Sequence, residues 1–241
     1  MIFVTGDTHG IYDVKKLRKD RFTEGNSLSK NDYLIICGDF GFIWENEPDD
    51  NEEYWLNWLE NLPYTVLFVD GNHENLHALN TRFPMKTWNG GKAHVIRPHI
   101  FHLMRGQVYT IDGITIFTMG GARSVDRGIY TNSADKDRGI IWWDEEMPSA
   151  EEYEEARKNL EKHNNKVDVI ITHDMPANYL YRFSNGMYKP NELNLFLEEI
   201  EGTVDFEKWY CGHYHADKRM DKQFRVIYDD IVPLNLRKKE S

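Results

Sequence analysis

The chain has 241 residues, with 29 Lys+Arg against 40 Asp+Glu and a formal net charge of -11. That balance argues against tight, sequence-independent binding to duplex nucleic acid, which relies on basic surface. It leaves phosphate chemistry open, because bound divalent cations reverse the local sign. The length suits one large α/β domain over residues 1–241, and no uncharged apolar run is long enough to span a membrane. Met1 leads straight into a strand, with no basic n-region or cleavage site. Cys37 and Cys211 both end apolar strands and read as small core filler. A reduced, cytoplasmic protein is the expectation.

Ile2-Phe3-Val4-Thr5 is rich in β-formers and reads as the first strand, running into Gly6-Asp7-Thr8-His9-Gly10. Asp7 and His9 stand two apart, so an extended backbone points both side chains to one side. A carboxylate and an imidazole there make half of a metal shell, although Asp-x-His alone reads as a turn with a polar tip. A short helix follows, with Ile11, Val14 and Leu17 expected on its inner face. Asp32 to Cys37 is the second strand, ending at Gly38-Asp39, where glycine permits close approach to a ligand and Asp39 could reach two cations. Glu45 to Glu53 reads as a solvated acidic loop. Trp55, Trp58, Leu59 and Leu62 recur at helical spacing, as a core stripe rather than a base-stacking platform.

Thr65 to Val69 is the third strand, and it delivers Gly71-Asn72-His73-Glu74 to the sheet edge where open α/β folds bind ligands. Leu76, Leu79 and Phe83 mark a helix, with His77 on its exposed side. His94, His99 and His102 lie in strand-like segments and read as structural or surface histidines. Val108 to Ile111, Asp112-Gly113 and Ile114 to Phe117 form a strong hairpin signal that points to antiparallel pairing. From Ser124 to Trp143 no periodicity is visible, which predicts an irregular insertion at about 122–148; its aromatics argue against disorder. Ser149 and Glu152 have capping-box spacing before a helix that buries Tyr153, Ala156 and Leu160. Val167 to Thr172 is a strand ending at His173, and Pro190-Asn191 opens a helix. Lys208 to Cys211 is a strand ending at Gly212-His213-Tyr214-His215, Phe224 to Tyr228 is a late strand, and residues from Arg237 onward are expected to fray.

Five strand ends thus carry Asp7/His9, Asp39, Asn72/His73, His173 and His213/His215. The donors are oxygen and nitrogen without cysteine, which suits manganese, iron or zinc. They are too many for one four-coordinate site, so two metals are the economical reading.

Read together, Gly6-Asp7-Thr8-His9-Gly10, Gly38-Asp39, Gly71-Asn72-His73-Glu74, Thr172-His173 and Gly212-His213-Tyr214-His215 resemble the calcineurin-like metallophosphoesterase superfamily, in that family's order. The resemblance spans residues 6 to 215. It implies an α/β/β/α sandwich of two mixed β-sheets flanked by helices. It also implies one metal on Asp7, His9 and His215, a second on Asn72, His173 and His213, and Asp39 bridging the two. His73 would contact the phosphate and the leaving group instead of a metal. The implied activity is a metal-dependent phosphoric ester hydrolase, with a metal-bridging hydroxide attacking phosphorus and manganese the favoured metal. One departure stands out. The superfamily's protein phosphatases follow Gly-Asp with Asp-Arg, whereas Phe40, Gly41, Phe42, Ile43 and Trp44 follow Asp39 here. That weakens the case for a phosphoserine/threonine phosphatase, and the stretch Gly120-Gly121-Ala122-Arg123-Ser124-Val125-Asp126, with Trp142-Trp143 beyond it, resembles a branch of small bacterial or phage phosphoesterases. Arg123, and next Arg127, is the expected substitute for the missing phosphate clamp.

The leading expectation is a dimetal phosphomonoesterase or phosphodiesterase on a small phosphorylated substrate. A nuclease for short single strands is one alternative. A non-catalytic metal-binding interaction scaffold is another, although a scaffold has no need of His73.

Overall fold

The computed structural model describes residues 1–124 and 142–236, and the backbone of 134–135 and 139–140 between them. In chain order the elements are β1 (Ile2–Thr5), β2 (Tyr33–Ile36), α1 (Asp50–Glu60), β3 (Thr65–Phe68), α2 (Leu76–Arg82), β4 (Met85–Trp88), β5 (Gly91–Arg97) and β6 (Ile100–Leu103). The hairpin β7 (Gln107–Ile111) and β8 (Ile114–Met119) follows, then the short pair β9 (Ala134–Asp135) and β10 (Gly139–Ile140). The second half holds α3 (Ala150–Lys162), β11 (Val169–Thr172), α4 (Ala177–Ser184), α5 (Glu192–Thr203), β12 (Lys208–Cys211), β13 (Lys218–Arg219), β14 (Phe224–Val226) and β15 (Ile231–Pro233).

These strands build two mixed sheets. The first runs β15-β1-β2-β3-β6-β5-β4, the second β13-β14-β12-β11-β8-β7. The central strands of each are parallel, β1, β2, β3 and β6 in one and β8, β11, β12 and β14 in the other. Alternation along each strand explains the layers. Val4, Ile35 and Leu67 face Ile116, Val169, Ile171 and Tyr210 in the core shared by the two sheets. Their neighbours Phe3, Leu34, Ile36, Val66 and Phe68 point outward onto α1 and α2. On the second sheet Phe117, Ile170 and Trp209 point outward onto α3, α4 and α5. The result is the expected α/β/β/α sandwich. Because parallel strands all end at one edge, Asp7, Asp39, Asn72, His173 and His213 arrive there together.

Several local expectations are met for identifiable reasons. Asp112 and Gly113 both have positive φ, 51° and 76°, as a type I′ hairpin turn requires, and Ile111 pairs with Ile114. Ser149 and Glu152 make both halves of the capping box, and Asn191 caps α5. Trp55 and Trp58 pack on the core beside buried Leu59 and Leu62. Both cysteines are buried and free.

Two expectations need correction. Ile11 is 51% exposed, because the chain reverses at Gly10 (φ 56°) and only one 3-10 turn, Val14–Leu17, packs inward. The acidic loop is solvated only in part. Asp49 caps α1 by accepting from Glu52 N–H at 2.7 Å, and Glu52 is buried against Arg82. The helix α4 was unforeseen. The irregular insertion at about 122–148 is described at its ends, where Asp144–Glu146 forms a 3-10 turn, and in the backbone of the antiparallel β9–β10 pair. Residues 237–241, expected to fray, lie outside the described residues. Among the described residues no helix is long and apolar enough to cross a membrane.

The histidines of β5 and β6 belong to a buried polar core. His94 Nδ1 lies 3.0 Å from His102 Nδ1, and His102 Nε2 lies 3.1 Å from Asp70 Oδ1. Arg105 grips the other oxygen of Asp70 at 2.7 Å and donates to the carbonyls of Glu145 and Glu146. Burial alone would raise the Asp70 pKa, but Arg105 and His102 outweigh it and hold the carboxyl well below the usual range. Asp70 immediately precedes Gly71-Asn72, so this pair anchors the edge on which a donor sits. Arg105→Ala strands a buried charge, and urea unfolding should show a loss of about 3–5 kcal/mol. A loss below about 1 kcal/mol would mean that water reaches Asp70.

Candidate metal centre

The structure brings all seven donors predicted from sequence to one edge. Asp7 and His9 follow β1, Asp39 follows β2 and Asn72 follows β3. His173 follows β11, and His213 and His215 follow β12. The donor atoms of Asp7, His9 and His215 lie within 4.8 Å of one another, and so do those of Asp7, Asp39 and His173. Asp39 reaches both groups, with Oδ2 at 3.2 Å from His9 Nε2 and Oδ1 at 3.4 Å from His173 Nε2. Asn72 Oδ1 lies 3.2 Å from His173 Nε2, and the His173 and His213 rings are 5.0 Å apart.

Local backbone is bent to achieve this. His9, Asp39, His213 and His215 all have φ between 42° and 66°, a left-handed region that costs L residues energy and is concentrated at functional sites. Close approach explains two of the motif glycines. A Cβ on Gly38 would lie 2.0 Å from His173 Nδ1, and one on Gly71 would lie 2.0 Å from Asp39 Oδ1. Backbone donors hold the carboxylates. His213 N–H lies 3.1 Å from each oxygen of Asp7, and His73 N–H donates to Asp39 Oδ1 at 2.9 Å.

Several positioning residues escaped sequence reasoning. Asp13 accepts from His9 Nδ1 at 2.8 Å, and the Cys37 carbonyl accepts from His173 Nδ1 at 2.8 Å. Each bond leaves Nε2 turned toward the site. Asn72 Nδ2 donates to Ser124 Oγ at 3.1 Å, which aims its oxygen inward. Lys16 lies beneath Asp7, donating to its carbonyl at 2.7 Å and to that of Gly6 at 3.0 Å. The i, i+4 spacing of His9 and Asp13 was a readable signal. The Ser124 and Lys16 contacts left none.

Glu74 turns away from the donors. Its carboxyl accepts from Phe40 N–H and Gly41 N–H, and burial with Asp39 and Asp70 nearby pushes its pKa well up. It therefore shapes the loop that follows Asp39. The ring of His73 makes no hydrogen bond to a described side chain. This agrees with the lack of an Asp-Arg pair after Asp39. Arg123 is exposed and lines a cleft with Asn72, His73 and His213. Arg127 lies outside the described residues.

Electrostatics supply the test of fit for cations. Burial, opposed by His173 and reinforced by Asp39, pushes the Asp7 carboxyl up to about 6. Burial works against the His173 imidazolium, yet Asp39 and Asp7 outweigh it and raise its pKa to about 10. Burial and the His173 charge bring His213 down to about 4. Two buried carboxylates are thus balanced by a proton on an imidazole, at a place where oxygen and nitrogen donors converge. Divalent cations fit that donor set.

The sequence pattern of the family described as calcineurin-like phosphoesterase matches residues 1–217. A Fibrobacter succinogenes (strain ATCC 19169 / S85) protein named "Probable cyclic nucleotide phosphodiesterase" is 20% identical over 229 residues. The match covers 92% of this chain and 73% of that protein.

A metal held by His173 and Asp7 would displace the His173 proton at neutral pH, and below pH of about 6 an Asp7 proton as well. Affinity for Mn²⁺ should therefore rise with pH, by about one decade per unit for each proton released. Titration calorimetry in buffers of different ionisation enthalpy counts those protons. A pH-independent affinity with no proton release would mean that His173 is not a ligand.

Proposed function

The chain belongs to the calcineurin-like phosphoesterase family and is a hydrolase of phosphoric esters, and from that premise we propose that it works through two divalent metals. Asp7, His9 and His215 would hold one, Asn72, His173 and His213 the other, with Asp39 shared between them. The observation that carries this reading is the contact of Asp39 with both His9 and His173, at 3.2 and 3.4 Å. Manganese is the favoured metal. When bound, the cations supply Lewis-acid polarisation of the phosphoryl group and a water acidic enough to attack phosphorus.

The protein's own groups do the rest. Asp13 and the Cys37 carbonyl fix the tautomers of His9 and His173, and Ser124 fixes the amide of Asn72. His73, tied through its backbone to Asp39, keeps its ring for the departing oxygen, to which it gives a proton or a hydrogen bond. Arg123 lines the cleft on the Asn72 and His213 side, where a planar guanidinium suits a phosphoryl oxygen that gains charge. Arg127 is the second choice. The substrate is a small phosphoester, and the name of the Fibrobacter relative supports a diester. Residues 1–241 are read as one domain.

His73→Ala should keep two metals per chain by elemental analysis and lower kcat by about 10²–10⁴. Loss of a metal in that variant would make His73 a ligand and remove the proposed role. Arg123→Ala should lower kcat/KM about tenfold or more while metal content and Tm stay near wild type, with Arg123→Lys recovering part. Full activity in Arg123→Ala would leave phosphate recognition to the metals and His73.

A further inference from the structure

Two clefts meet at the metal centre, and His73 and His215 line both. One, of about 640 Å³, is walled by Ile11, Tyr12, Phe42, Trp44 and Trp55. The other, of about 560 Å³, carries Arg123 and Lys189. A phosphorus atom beside His73 therefore has open space on each side. A monoester fills one such space, whereas a diester with two separate organic arms fills both.

The two clefts differ in chemistry. In the first, the described charged lining residues other than histidine are acids: Asp13, Glu45, Asp49 and Glu52. Asp13 is bound to His9 and Glu52 to Arg82, while Glu45 and Asp49, the latter also capping α1, are exposed on the rim. Such a wall repels a second anionic group and favours a flat, uncharged one. Its apolar surface is already in place. Ile11 is 51% and Tyr12 76% exposed, and Trp44 is braced edge-to-face by Trp143 at 5.5 Å. The second cleft is also lined by Asp39 and Asp174, but Asp174 already accepts from Tyr214 and from Met175 N–H, and Arg123 and Lys189 are left to offer cations to an arm rich in oxygen or negative charge.

We propose that the substrate is an acyclic phosphodiester whose neutral aromatic arm, of the nucleoside class, lies in the Trp44/Trp55 cleft, with the second, polar arm beside Arg123 and Lys189. This rests on the phosphoesterase reading of the centre. In the reaction a water oxygen forms the new bond to phosphorus and one ester P–O bond breaks. The departing alkoxide takes up a proton, so one diester and one water give a monoester and an alcohol.

The test uses the full chain loaded with Mn²⁺ and follows hydrolysis by phosphorus NMR. The substrates are the methyl ester of adenosine 5′-phosphate, the methyl ester of glycerol 3-phosphate, AMP and 3′,5′-cyclic AMP. The adenosine diester should exceed the glycerol diester in kcat/KM by about tenfold or more, from stacking on the indoles. Trp44→Ala should bring that ratio toward one through KM, and Trp44→Phe should restore much of it. A wild-type ratio near one overturns the aromatic subsite, as does faster cleavage of the glycerol diester. Faster cleavage of AMP or cyclic AMP overturns the two-armed substrate. If none of these esters is cleaved, the catalytic reading fails separately, and quenching of tryptophan emission by adenosine then decides the subsite. Quenching in wild type that is lost in Trp44→Ala supports it, and no quenching overturns it.

Discussion

The Asp7 and Asp39 carboxylates, both buried, meet the His173 imidazole across the seam between the two sheets, and the surrounding chain is shaped by what that meeting demands. Buried charge is costly unless it is paired and hydrogen-bonded. Here the pairing comes from opposite directions. The first sheet supplies both carboxylates, the second supplies three imidazoles, and backbone N–H groups of His73 and His213 tie the carboxylates down. The strained φ values at His9, Asp39, His213 and His215 follow from the same demand, since the chain must turn sharply at each strand end to aim its donor at a common point.

Charge is distributed accordingly. A chain with net charge -11 would repel an anionic substrate at most of its surface. Around the centre several acids are paired in place. Asp13 is matched by His9, Glu52 by Arg82 and Asp70 by Arg105, while Lys16 lies under the Asp7 backbone. Burial lowers the Lys16 pKa, opposed by Asp7 and Asp13.

Much of this was legible in the sequence because parallel strands compress information. A run such as Thr65 to Phe68 announces a strand buried on both faces, and the residues after it fall at the binding edge whatever the rest of the chain does. That logic finds every proposed donor. It fails where a side chain's fate is set by distant partners. Ile11 looks like a helix's inner face until the turn at Gly10 is known. His94 and His102 look incidental until β5 pairs with β6 and sets them beside Asp70. Ser124 sits in a stretch without periodicity, and only the fold brings it to Asn72. Trp55 was read as core, and it is packed there, but one side of it also lines the aromatic cleft. Helical spacing cannot express that double duty.

Because the proposed donors run from residue 7 to residue 215 and are divided between two sheets, no fragment of the chain holds the set. An unfolded chain does not bring that set together, so the free energy of loading at the proposed centre would accrue to the finished fold. At a free ion concentration a hundred times the dissociation constant that linkage is worth about 2.7 kcal/mol. Metal supply would then bear on how long the fold persists as well as on turnover, because only the loaded fold gains that free energy.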